Sequence, residues 1–180
     1  MRSFSSYPKV ELKPRSHSLN PRLQELQLPV GTLENFLAAT SEISVQELEF
    51  VPYQRLVLAH TLNEECSGSL KQILMETLHD RATGALEIST SPKLNKDDLI
   101  KISTAVSHLL GQPNFDSMSG KYYACFDVKD TDNSDSYLRQ AYRLFTLHTD
   151  GTYVDEMTDW VLMLKLKEEN AVGGESRLLH

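Results

Sequence analysis

The chain has 180 residues and a formal net charge of −7, with 25 Asp and Glu against 18 Lys and Arg. That length can bury one substantial core, and the acidic balance argues against a nucleic-acid partner, which would want a basic face. No apolar run is long enough to span a membrane, residues 1–8 lack the apolar core of a signal peptide, and Cys66 and Cys125 form no CxxC pair and read as reduced cytosolic thiols.

Four of the seven prolines, Pro8, Pro14, Pro21 and Pro29, fall within residues 1–31, separated by Ser, Arg and Lys. This composition predicts an extended N-terminal arm over 1–31, ordered where it packs on something and otherwise a disordered leader. Leu23, Leu26 and Leu28 are available to anchor its later part. A single domain is expected over 32–180. It opens on a short helix over 32–39, with Thr32 as N-cap and Leu33, Phe36 and Leu37 on one face. Phe50 and Val51 read as strand-like, although Pro52 argues against a central strand.

Residues 56–78 read as helical with an interruption at Ser67-Gly68-Ser69. Leu70, Ile73, Leu74, Thr77 and Leu78 repeat at the spacing of one helical face. Residues 84–88 read as a strand. The clearest helix runs from Lys96 to Leu110. Asn95 is its N-cap, Asp97 and Asp98 suit the positive first turn, and Gly111 with Pro113 ends it. Its buried stripe is predicted as Leu99, Ile102, Val106 and Leu109. His108, near its end, and His17, His60 and His79 have no carboxylate or cysteine at ligand spacing and read as structural or surface histidines.

Residues 122–128 form a strand by propensity. The acidic stretch at 130–135 looks superficially like a calcium loop, but Asp135 and Ala141 stand where that loop requires glycine and glutamate, so it reads as a turn. Further strands are predicted over 142–147, 160–167 and 176–179. Helices first and antiparallel strands later suit an α+β chain in which N-terminal helices flank an incomplete double-stranded β-helix. The chain stops at His180 directly after Leu178 and Leu179, and is expected to be the N-terminal part of a longer protein.

The chemistry concentrates in residues 144–153. An apolar strand-like run ends in His148-Thr149-Asp150 and then Gly151. Side chains alternate faces along a strand, so His148 and Asp150 can aim at one point. Imidazole plus carboxylate is two of the three groups in the 2-His-1-carboxylate triad that holds non-haem Fe(II) and leaves positions open. Taken alone, the pair reads equally as a strand-end histidine on a polar turn.

Three blocks extend the motif into a resemblance: Asn114-Phe115-Asp116-Ser117-Met118-Ser119-Gly120-Lys121-Tyr122-Tyr123, Asp132-Asn133-Ser134-Asp135-Ser136-Tyr137-Leu138-Arg139-Gln140, and Leu147-His148-Thr149-Asp150-Gly151-Thr152-Tyr153-Val154. Together they closely resemble the carbon-starvation-induced glutarate hydroxylases, which belong to the clavaminate-synthase-like group of Fe(II)/2-oxoglutarate oxygenases. The match is near-continuous from Ala105 to His180 and weaker but in register earlier, as at Asp80-Arg81-Ala82-Thr83-Gly84-Ala85-Leu86.

The resemblance implies a jelly-roll oxygenase with iron at the mouth of its barrel, held by His148 and Asp150. It implies hydroxylation of glutarate to L-2-hydroxyglutarate, with O₂ and 2-oxoglutarate consumed and succinate and CO₂ released. Ser176, 25 residues beyond Asp150 with the intervening stretch counted, corresponds to the Ser or Thr that hydrogen-bonds 2-oxoglutarate in this group. Arg139 and Arg143 are candidates for the substrate carboxylates, which favour bidentate guanidinium donors, or else form surface ion pairs. The family implies a cytoplasmic homotetramer. Its distal iron-binding histidine and its 2-oxoglutarate arginine fall outside these 180 residues, His180 is not assigned to metal, and Cys125 stands where the family carries an arginine. The chain alone is therefore expected to be inactive, a non-catalytic remnant and an oxygenase for another small acid being the other readings.

Overall fold

The structure, a computed structural model, describes residues 11–90, 94–115, 120–123, 125, 146, 148, 149 and 158–166. It is a mixed α+β chain in two compact units, one formed by residues 1–112 and 164–180 and the other by residues 113–163. The predicted strands over 122–128, 142–147 and 176–179 fall wholly or mostly outside the described residues.

The first unit is built on a three-stranded sheet in the order β1-β2-β3, with β1 at Arg15–Ser16, β2 at Leu23–Gln27 and β3 at Ala85–Ser89. β1 and β2 run antiparallel, with Arg15 opposite Glu25 and Ser16 opposite Gln24. The turn between them is closed by the Asn20 side chain, whose Oδ1 accepts from the Arg22 amide at 3.0 Å, as Asx turns do. β2 and β3 run parallel from Leu23 opposite Ala85 to Gln27 opposite Ser89. The ladder continues at both ends: the Gly84 amide donates to the Arg22 carbonyl at 2.7 Å and the Leu28 amide to the Ser89 carbonyl at 3.0 Å. Leu26 and Leu28 are fully buried, so the later part of the N-terminal stretch is anchored by the leucines expected to do it.

A parallel pair cannot be closed by a hairpin, and here the crossover consists of four helices. α1 is Val30–Ala39, α2 Glu47–Phe50, α3 Pro52–Glu65 and α4 Leu70–His79. α5, Lys96–Leu110, follows β3 and lies along α3, the most extensive helix–helix contact among the described elements. Leu33 and Phe36 from α1, Leu58 and Leu62 from α3, and Leu70 and Leu74 from α4 are fully buried, and α5 adds Ile102, Ala105, Val106 and Leu109. Leu99, expected in that stripe, is only half-buried, and Ile100 and Lys101 are buried instead.

Two helix starts differ from expectation. α1 begins at Val30, behind Pro29, and no side chain caps it. Thr32 therefore lies inside the first turn; proline with its fixed φ is pre-organised for a helix start and makes the cap dispensable. Phe50 and Val51 are not a strand. Phe50 ends α2, and Pro52 occupies the first turn of α3, where its missing N–H costs nothing. The entry to α2 is fixed by a reciprocal pair: the Glu47 amide donates to Ser44 Oγ at 3.2 Å and the Ser44 amide to Glu47 Oε2 at 2.8 Å, the exchange of a capping box. α5 carries the cap predicted for it, and more. Asn95 Oδ1 accepts from the Asp98 amide at 2.9 Å while Asp98 Oδ2 accepts from the Asn95 amide at 3.2 Å. The strand expected over 160–167 is not formed in its described part, 160–166; a strand exists only by pairing, and no strand of the described sheet lies against it.

Two buried cations tie the helices. Lys101 on α5 donates its ammonium to the Thr40 carbonyl at 2.9 Å, at the C-terminal end of α1, where the helix dipole favours positive charge. Thr40 is itself buried and returns its hydroxyl to the Phe36 carbonyl at 2.8 Å. Arg55 on α3 is 3 % exposed. His108 on α5 donates Nδ1–H to the Thr104 carbonyl at 2.9 Å, with Ser107 Oγ 3.2 Å away. Burial pushes its pKa below the ordinary 6.5, the Thr104 carbonyl opposes that, and the Arg55 charge adds to it. The folded chain thus holds His108 neutral, and this contribution to stability is lost as pH falls below 6.5.

The break between α3 and α4 sits at residues 66–69, as the sequence suggests. The Gly68 amide reaches back to the Asn63 carbonyl at 2.7 Å and the Ser67 amide to the Glu64 carbonyl at 2.8 Å, the two bonds of a Schellman motif. Ser67 takes the left-handed position, φ 58°, and Gly68 follows at φ 73°. The left-handed conformation costs a residue with a Cβ roughly 1–2 kcal/mol, against about 0.5–1 kcal/mol for the greater flexibility of an unfolded glycine. Ser67→Gly should therefore stabilise the chain by about 0.5–1 kcal/mol, read as a higher urea midpoint at unchanged m value.

Cys66, the last residue of that helix end, is 5 % exposed and not in a disulfide. Burial, with the Glu65 carboxylate adding to it, pushes its thiol from the ordinary 9.0 up to about 12. The neutral thiol favours the fold below pH 9, and that contribution is lost as pH rises towards 12. Cys125 is exposed. Since the thiolate is the reactive form, a disulfide reagent at pH 8 should titrate one thiol rapidly in the native chain and both in denaturant.

Candidate functional site

The residues singled out for metal and cosubstrate lie in or after the second unit. Among the described residues of that unit, Phe115 and Tyr122 meet edge to face with ring centres 5.2 Å apart. Lys121 Nζ lies 5.5 Å from the Tyr123 ring centre. Asn114 Nδ2 donates to Thr158 Oγ1 at 3.4 Å, which ties the start of the second unit to the approach to the 160–166 run.

His148 is exposed, and its Nδ1 stands 2.8 Å from the Thr146 carbonyl, two residues earlier in the same stretch. A carbonyl oxygen only accepts, so Nδ1 carries the proton. In the neutral ring this places the lone pair on Nε2. Metal-binding histidines adopt this arrangement: the far nitrogen is tied to a carbonyl or carboxylate, which fixes the tautomer and orients the ring. The described half of the predicted metal pair thus has the donor chemistry that Fe(II) requires. Asp150, Ser176, Arg139 and Arg143 lie outside the described residues, as does His180.

The remaining histidines have other occupations. His17 accepts from the Leu19 amide through Nδ1 at 3.1 Å and places Nε2 3.8 Å from Glu25. The His108 ring is bound to its own helix. Among the described residues no group of three or more His, Cys, Asp or Glu could hold a metal ion, and no helix is long and apolar enough to cross a membrane.

The residues that the sequence reading passed over are the buried cations. Arg55 falls on the same helical face as Leu58, Ala59 and Leu62, a spacing that would have placed it inward. Lys101 had no such signal, because it lies beside the apolar stripe of α5 rather than within it.

Comparison with known proteins gives two findings. The sequence model of the CsiD family matches residues 12–180. The glutarate 2-hydroxylase of Klebsiella pneumoniae (strain 342) is 46% identical over 177 residues, covering 97% of this chain and 54% of the relative. The chain therefore spans about half the length of the relative that it matches.

Proposed function

This chain belongs to the CsiD family, and we propose that it is part of an Fe(II)- and 2-oxoglutarate-dependent oxygenase that hydroxylates glutarate. The observation that carries the site is the Thr146–His148 hydrogen bond at 2.8 Å, which presents Nε2 as the donor nitrogen. The relative's printed activity, glutarate 2-hydroxylase, supports the substrate and the reaction class.

In this reading His148 and Asp150 hold the iron. The iron, with 2-oxoglutarate and O₂, supplies the oxidising power to hydroxylate a C–H bond of the substrate while the cosubstrate is decarboxylated to succinate. The chain's own residues position the reactants. Thr146 fixes the His148 ring. The Ser176 hydroxyl donates to 2-oxoglutarate. Arg139 or Arg143 receives a glutarate carboxylate, since a guanidinium presents two parallel donors to it. The remaining ligand of the facial triad and the arginine for 2-oxoglutarate come from the polypeptide by which the relative exceeds this chain. The complete protein folds as a clavaminate-synthase-like jelly roll, and the first unit described above forms its flanking α+β part.

The reading is tested by anaerobic titration with Fe(II) and 2-oxoglutarate, which gives a metal-to-ligand charge-transfer band when both bind one site. The 180-residue chain should give none. Extended by the relative's remaining polypeptide, it should give a saturable band and glutarate-dependent succinate. His148→Ala and Asp150→Ala in the extended protein should each lower iron affinity by more than the ~10–100-fold typical of losing a supporting partner. A full band in His148→Ala removes that residue from the site, and succinate formation indifferent to glutarate removes the substrate.

A further inference from the structure

Four large apolar side chains stand in solvent where α2 meets α3: Phe50 at 80% exposure, Val51 at 40%, Tyr53 at 71% and Leu56 at 56%. Tyr53 and Leu56 are three apart on α3 and share one of its faces. The opposite face, with Arg55, Leu58, Ala59 and Leu62, is buried in the helical core. α3 is therefore apolar on two faces. Helices of this kind are covered on both sides, whereas a surface helix keeps its outer face polar.

The local fold does not need the four side chains. The Ser44–Glu47 exchange fixes the start of α2, and Pro52 sets the start of α3. A single exposed leucine is ordinary on a protein surface, but a contiguous group that includes two aromatic rings on a fixed helix start marks a contact face.

We propose that this face is an intrachain docking surface, covered by the polypeptide through which the family relative exceeds this chain. Two observations choose that occupant over a second copy. The first is area. At ~200 Å² per aromatic side chain and the exposures above, the four groups offer roughly 500 Å², below the ~800 Å² per partner of a stable interface between separate proteins. The second is length. The chain spans 54% of the relative, so a polypeptide nearly as long again is available on the same chain. A tethered segment is held at high effective concentration and closes on a patch too small to capture a free partner. The occupant presents an apolar face to the Phe50 and Tyr53 rings. The inference rests on family membership, but not on glutarate being the substrate.

The test places a reporter thiol on the face. Tyr53→Cys is made in a Cys125→Ser background, alone and fused to the part of the Klebsiella pneumoniae relative beyond the aligned region. Reaction with a maleimide follows exposure of the thiol. The thiol should react about tenfold or more slowly in the fusion than in the chain alone, and this protection should persist over about 100-fold dilution, as an intramolecular contact requires. Protection that fades on dilution identifies a second copy and overturns the proposal. Equal rates in both overturn it as well. If the fusion does not unfold cooperatively, the same thiol at the aligned position of the intact relative gives the measurement. Glutarate turnover is read separately, so that an active fusion with an unprotected thiol removes the docking face and leaves the oxygenase reading standing, and a protected but inactive one does the reverse.

Discussion

The parallel pairing of β2 with β3 constrains everything else in the first unit. Five consecutive residue pairs are in register, from Leu23 with Ala85 to Gln27 with Ser89. Parallel neighbours require a crossover, so residues 28–84 must leave the sheet, travel its length and return. The four helices are that journey. They bring Leu33, Phe36, Leu58, Leu62, Leu70 and Leu74 out of water together, and each buried side chain contributes about 1.5–3 kcal/mol as an upper estimate. α5 then closes the core against α3.

What the sequence disclosed followed the range of the interactions involved. Asn95 and Asp98 bond across three residues, and their helix was legible to its last residue. The break at residues 66–69 was legible for the same reason. Ser44 and Glu47 make an equally local exchange, and the Ser-x-x-Glu spacing was there to be read; the aromatic and β-branched pair Phe50-Val51 drew the reading towards a strand instead. Pro52 was taken as evidence about strands when its commoner meaning is the first turn of a helix. β2 was not legible as a strand at all. Leu23–Gln27 is extended because it pairs with residues some sixty positions later, and nothing within the segment records that partner.

The candidate site was legible in a different way. Alternation along a strand suggested that His148 and Asp150 share a face, and the fuller blocks around them identified the family that the comparisons then matched over residues 12–180. Neither line of reasoning could supply the Thr146 carbonyl. Its bond to His148 Nδ1 depends on the local backbone path and decides which ring nitrogen is the donor. The distribution of charge was only partly visible: the formal charge is −7, yet Arg55 and Lys101 are both buried, so the cations withdrawn from the surface leave it more acidic than composition suggests.

The Lys101 ammonium, held at the end of α1 and 9% exposed, gives the chain an internal clock. Amine-directed acylation needs an accessible, deprotonated lysine, and the chain's other lysines on exposed helix and strand positions, such as Lys13, Lys71 and Lys96, are open to reagent in the native state. Lys101 is reached only when α5 lifts from α1. The order in which lysines acquire label would therefore separate motions of the surface from opening of the helical core, using a residue already placed by the fold and requiring no substitution.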